Sequence, residues 1–226
     1  YHRFMRINKY IAAASDLSRR AADTAIAEGR VTVNGDTAEQ GMEVSQTDVV
    51  ALDGHVLEPA VSMTTIILNK PVGYVCSRNG QGSRTIYDLL PPEYRHLNPV
   101  GRLDKDSSGL LLLTNDGALA EQLTHPRYAK TKVYEVVLNH PLLPLSRQII
   151  SDHGVILEDG RSQFELERLR EGDDTAWRIT MHEGRNRQIR RTFAALGFTV
   201  TTLHRTHFGP YVLNDQSAGT FVSIAP

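Results

Sequence analysis

The stretch Gly101-Arg102-Leu103-Asp104-Lys105-Asp106-Ser107-Ser108-Gly109 sets two carboxylates and two cations between glycines, and four leucines follow it directly. A carboxylate held still beside a pocket can attack an electrophilic carbon, or take and return a proton. Two carboxylates could also cleave a glycosidic bond, but only at defined separations across a sugar. Neighbours at i and i+2 of one loop do not give that separation. Holding the acid still falls to the next element. Leu110-Leu111-Leu112-Leu113-Thr114, closed by Asn115-Asp116-Gly117, reads as a short buried strand ending in a tight turn. The plain alternative is a solvated loop in which Asp104 serves only the backbone, and for an isolated aspartate that is the better reading.

Three further segments change the balance. Lys70-Pro71-Val72-Gly73-Tyr74 precedes the acidic loop, which is entered through Pro99-Val100-Gly101-Arg102-Leu103-Asp104. Lys132-Val133-Tyr134-Glu135-Val136 and Glu183-Gly184-Arg185-Asn186-Arg187-Gln188-Ile189-Arg190-Arg191 follow it. In type and order these four segments resemble the motifs of the RsuA-type family of ribosomal RNA pseudouridine synthases, and the resemblance covers nearly all of the chain. It implies an isomerase that breaks the glycosidic bond of a uridine, turns the uracil and rejoins it through a ring carbon. The uridine must leave the helical stack to be reached. By the same resemblance Asp104 is the nucleophile or base. Arg190 is the guanidinium beside it, whose fork can bind a carboxylate through two hydrogen bonds. Tyr134 is the ring that stacks on the freed base, although for the residue by itself a core tyrosine in a strand is an equal reading. Asp106 is not expected to stand in for Asp104. No metal or redox cofactor is implied. Segment 73–90 leans toward the large-subunit (23S) members.

Several cations are expected to face RNA. In an extended segment Arg102 points to the same side as Asp104 and serves RNA or the order of the loop. Arg185 and Arg187 sit at a helix start suited to phosphate, and for Arg191 a solvated charge is an equal reading. Lys132 joins this set, with Arg205 behind it. His204-Arg205-Thr206-His207 does not make a metal site, since two histidines three apart lack a nearby cysteine or acid cluster. His125, His182, His204 and His207 are expected at the surface or in hydrogen bonds. Cys76, the one cysteine, reads as a small buried hydrophobe. It cannot form an internal disulfide, which fits a reducing cytoplasm.

The remaining elements are the scaffold. Residues 6–30 read as two helices: Ile7, Tyr10, Ile11 and Ala14 recur at helical spacing, and Ser18 caps a second helix carrying Ala21, Ala22, Ala25 and Ile26. Val31-Thr32-Val33 and Val49–Leu52 read as strands. This order resembles the S-four-like (alpha-L) RNA-binding domain, which implies phosphate contacts by Arg6, Lys9, Arg19, Arg20 and Arg30. The net charge of −1 hides this: residues 1–35 carry +3, residues 36–62 carry −6 and the rest carries +2. A polyanion responds to the local field, so a neutral average does not exclude RNA. We expect an S-four-like domain over residues 5–60, a linker from Glu58 to Met63 and a catalytic domain over residues 61–226. Irregularly inserted helices make the second domain α+β, and the resemblance implies a largely antiparallel central sheet. Tyr1 to Phe4 precede Met5 and read as leftover residues. No apolar stretch of membrane-spanning length and no export leader is visible. A cytoplasmic monomer acting on ribosomal RNA or a ribosome assembly intermediate is expected. A noncatalytic RNA-binding assembly protein is the alternative, and an intact Asp104, Tyr134 and Arg190 favours catalysis over it.

Overall fold

The computed structural model describes residues 5–45, 47–58 and 63–224. Tyr1 to Phe4 and most of the expected linker lie outside them. The chain divides into two compact units, Tyr1–Met63 and Thr64–Pro226.

In the first unit β1 (Met5–Arg6) leads into α1 (Ile7–Ala14) and then α2 (Arg19–Ala27). The Ser18 hydroxyl accepts from the Ala21 N–H, the cap expected from sequence. Four short strands follow: β2 (Val31–Val33), β3 (Asp36–Thr37), β4 (Glu43–Val44) and β5 (Val50–Leu52), with β6 (His55–Val56) behind them. They pair antiparallel in the order β3-β2-β5-β6, while β4 pairs with β1. Ile7, Tyr10, Ile11, Ala22, Ala25 and Ile26 pack with Val31, Val33 and Val50 in a core of the unit's own.

The second unit begins with β7 (Thr65–Lys70), then β8 (Asn98–Pro99), β9 (Ser108–Thr114) and α3 (Gly117–Thr124). Next come β10 (Lys132–Leu138), α4 (Pro144–Gln148), β11 (Val155–Leu157), β12 (Gly160–Ser162) and β13 (Glu165–Arg168). The chain continues through β14 (Ala176–Met181), α5 (Gln188–Ala195), β15 (Val200–Phe208), β16 (Tyr211–Val212) and β17 (Phe221–Ile224). One nine-stranded sheet runs β13-β14-β10-β15-β9-β7-β17, with β8 on β9 and β16 on β15. Among the described residues its ladders are antiparallel except β15 against β9. Alternate residues of β7 and β9 enter different cores: Ile66, Leu68, Leu111 and Leu113 one, Ile67, Leu110 and Leu112 the other. This is why both strands read as unbroken apolar runs. Burying each leucine contributes about 2 kcal/mol, so β9 is a firm base for the loop before it.

Two local expectations change. Asn115-Asp116-Gly117 does not make a tight turn; the Asp116 carboxylate accepts from the Ala118 and Leu119 N–H groups and starts α3. Residues 141–150 read in the sequence as one helix started by prolines, but α4 is shorter and passes into a wide π-turn, Ile149–His153. Gly109 is required where it stands. At φ +107° a Cβ would meet the Arg205 carbonyl oxygen at 2.3 Å, across the parallel pairing of β9 and β15. Gly109→Ala is expected to destabilise the second unit by about 3 kcal/mol. Urea denaturation checks this, and an unchanged midpoint would contradict it.

Candidate active site

Three adjacent strands of the sheet bring the sequence candidates together. The acidic loop is the connection of the β8–β9 hairpin, whose ends are tied by Asn98 opposite Thr114 and Pro99 opposite Leu113. On β15, Arg205 lies opposite Gly109 of β9 on one side and Tyr134 of β10 on the other. Asp104, Tyr134 and Arg205 all line a cavity of about 520 Å³, a size typical of small-molecule sites. Arg102, Lys132, Arg185 and Arg187 line it too.

The loop is held from below by Lys70, a residue given no role in the sequence reading beyond its motif. Its side chain is fully buried, and its Nζ donates to the carbonyls of Pro71 (3.0 Å), Asp104 (3.0 Å) and Ser107 (2.7 Å). An ammonium has three donors, and all three are used. Burial pushes the Lys70 amine below its ordinary range. Cys76 braces the loop beside it: its Sγ accepts from the Leu103 N–H at 3.5 Å and donates to the Leu103 carbonyl at 3.3 Å. Burial raises its pKa, so it stays a thiol and is poorly suited to act as a nucleophile. Cys76 is thus a hydrogen-bonded brace rather than only a small hydrophobe.

From above, two arginines reach the loop, and their contacts differ from the expected ones. Arg187, expected to face RNA phosphate, makes a two-pronged pair with Asp106 (3.0 and 2.9 Å). Its Nη1 also lies 3.4 Å from Asp104 Oδ2. Arg190, expected to hold Asp104, instead binds around it. It donates to the carbonyls of Asp106 and Val200 at 2.8 Å each, and its Nε lies 3.4 Å from the Asp106 carboxylate. The reason is placement: Arg190 is on α5, its side chain only 12% exposed, whereas Arg187 precedes the helix and reaches the cavity. Asp106 is held below the usual carboxylate range, first by its hydrogen bonds to Arg187.

Arg185 is engaged within the protein. Its guanidinium donates to the Asp159 carboxylate (2.8 Å) and to the carbonyls of Asp159, Gly160 and Arg161, so its terminal nitrogens are engaged within the β11–β12 hairpin. Arg191 pairs with the same carboxylate at 2.6 Å. These two arginines anchor the segment before α5 and the helix itself to the hairpin tip. Buried Gln188 and Thr192 add side-chain bonds to Ser162.

Tyr134 is 8% exposed and edges the cavity from the core. Arg205, placed behind the other cations in the sequence reading, is 2% exposed; it donates to the Leu110 carbonyl and lies over the Phe208 ring at 4.8 Å. Lys132 Nζ shares that ring at 5.4 Å, and burial, then Arg205, lowers its pKa. Arg102 is exposed at the rim. Neither Arg102, Lys132 nor Arg205 has an acid within ion-pair distance among the described residues. These three cations bring positive charge to the cavity, and Glu183 lines it with them.

In the first unit Arg6, Arg19 and Arg20 are exposed and Lys9 half-buried, while Arg30 is engaged by Asp53 (2.6 Å) and Glu28 (3.2 Å). The four histidines singled out in the sequence are hydrogen-bonded: His204 to Ser108, His207 to Thr206, His182 to Thr131 and His125 to the Arg127 N–H. Among the described residues no group of three or more His, Cys, Asp or Glu gathers as a metal site. No helix there is long and apolar enough to cross a membrane.

The model of the RNA pseudouridylate synthase family matches residues 64–195, and that of the S4 domain matches residues 5–50. An RNA pseudouridine synthase of Aquifex aeolicus, described as uncharacterized, is 38% identical over 221 residues, covering 95% of this chain and 88% of its own. The ribosomal small subunit pseudouridine synthase A of Pasteurella multocida is 36% identical over 216 residues, covering 95% and 93%. The ribosomal large subunit pseudouridine synthase B of Pseudomonas aeruginosa is 38% identical over 222 residues, 93% of this chain and 57% of its own. The chain therefore spans little more than half of that relative. A crystal structure of a pseudouridylate synthase superposes with a TM-score of 0.70 at 31% identity, covering 98% of this chain and 96% of the other. The motifs, the sheet and these matches agree: the chain belongs to the RNA pseudouridylate synthase family and carries an S4 domain ahead of its synthase domain.

Proposed function

We propose that this enzyme converts a uridine of ribosomal RNA, in the large subunit rather than the small, into pseudouridine. The observation that carries the reading is one carboxylate, Asp104, sharing a cavity of about 520 Å³ with a tyrosine ring and lying 3.4 Å from a guanidinium. The uridine enters everted from its stack, because its glycosidic bond is unreachable within a helix. Asp104 then acts as nucleophile or base, Tyr134 stacks on the uracil, and Lys132 and Arg102 meet the neighbouring phosphates. Arg190 supports the chemistry by fixing the loop at Asp106. The lean toward the large subunit rests on segment 73–90, since similar relatives carry both kinds of name. Ribosomal RNA places the enzyme in the cytoplasm, where it works as a monomer on free RNA or an assembly intermediate. Mapping pseudouridines in ribosomal RNA with and without the gene tests this. One uridine of the large-subunit RNA should lose its modification; an unchanged map would contradict it.

The residue 5–60 domain is proposed to bring RNA to the site through Arg6, Lys9, Arg19, Arg20 and Arg30. Because that unit has its own core, removing residues 1–63 should leave a cooperative circular dichroism melt. RNA affinity should fall about tenfold or more, as several phosphate contacts are lost. A truncated chain that binds as tightly as the whole would contradict the assignment.

A further inference from the structure

We infer that Asp106 is a positioning residue for the reaction: it holds the Arg187 guanidinium in place beside the Asp104 carboxylate. The inference rests on the proposed role of Asp104 and goes beyond it. Among the described residues Arg187 is the only group within ion-pair distance of Asp104, at 3.4 Å. Its two terminal nitrogens are held by Asp106 at 3.0 and 2.9 Å. Such a pair fixes the plane of the guanidinium as well as its distance.

The backbone agrees. Arg187 sits at φ +46°, in the left-handed region, immediately before α5. A side-chain-bearing residue persists there only where its surroundings hold it, and such strain gathers at functional sites. The surroundings are in place: Arg190 reaches across from α5 to the Asp106 carbonyl at 2.8 Å, and its Nε lies 3.4 Å from the Asp106 carboxylate. Asp106 is therefore fixed at its backbone by one arginine while its carboxylate fixes another. Two acids two residues apart thus divide the work. Asp104 faces the cavity, and Asp106 takes up both arginines at the loop's outer side. Left to itself Arg187, 43% exposed, would turn toward solvent or toward RNA phosphate.

The test is a double-mutant cycle on the full chain, with turnover and RNA affinity both measured. The Asp106 side chain is 47% exposed, and D106N keeps the carbonyl that holds Arg190, so the fold is not at risk; a melt beside the wild type checks this. D106N should lower kcat about 10- to 100-fold with KM and RNA affinity within about threefold, the effect of a misplaced countercharge. D106E, which keeps the charge, should recover part of the rate. In an R187M background D106N should change kcat by less than about twofold, because it acts through the guanidinium already removed. An unaltered kcat in D106N, or an undiminished effect in R187M, would overturn the inference. So would a loss confined to KM, which would make the pair an RNA clamp. Wild-type enzyme with no turnover on any uridine would instead remove the function itself, whereas a working wild type with D104N inert keeps that function and leaves the cycle to decide.

Discussion

Asparagine in place of Asp104 is expected to lower uridine isomerisation by at least about a thousandfold, because a carboxamide neither attacks as a carboxylate does nor takes a proton. RNA affinity should stay within about threefold, since the cations that meet phosphate are untouched. The side chain is one-third exposed, so the replacement buries nothing new and leaves the loop's backbone bonds to Lys70 and Ser107 in place. Tritium release from RNA labelled at the uracil C5 measures the first quantity, and filter binding the second. Normal turnover by the variant would remove Asp104 from its role. A collapse of both activity and affinity would mean that the loop, and not the acid, had been lost.

Lys70→Met should have the next largest effect, and it should act on fold and rate together. Methionine replaces the stem of the lysine but leaves the carbonyls of Pro71, Asp104 and Ser107 without their common donor. An unpaired buried carbonyl costs about 1–3 kcal/mol, and the loop can relax part of that by turning outward; a net loss of about 3 kcal/mol is expected. Because the carbonyl of Asp104 itself is one of the three, the same relaxation displaces the reacting carboxylate. A displacement of that kind lowers the rate about a hundredfold. Urea denaturation and single-turnover kinetics check the two parts. A variant as stable and as fast as the wild type would show that the ammonium does not support the loop.

Much of this architecture was legible in the residues. The four-leucine strand, the Ser18 cap and the Ile7, Tyr10, Ile11 stripe carry their structure locally, in periodicity and side-chain capping, and so could be read without the fold. The motif order led to the right sheet and to a cavity holding Asp104 and Tyr134. What local pattern does not carry is which of several like charges meets which. Four arginines lie within seven residues, 185 to 191, and only the turn of the chain before α5 decides that Arg187 reaches Asp104 while Arg185 and Arg191 share Asp159. Lys70 was hidden for a different reason. A lysine in a strand reads as an exposed edge, and its burial depends on carbonyls from a loop more than thirty residues away. The burial of Arg205 was masked by its neighbours: His204, Thr206 and His207 hide a strand that continues to Phe208.

The most direct test of the account is a crystal structure of D104N bound to RNA carrying the modified uridine position. The account predicts the nucleotide everted into the cavity, its uracil against Tyr134, the residue-104 side chain in contact with the ribose or the ring, and Arg187 still on Asp106. A uridine left stacked in its helix, with RNA running past an empty cavity, would contradict it.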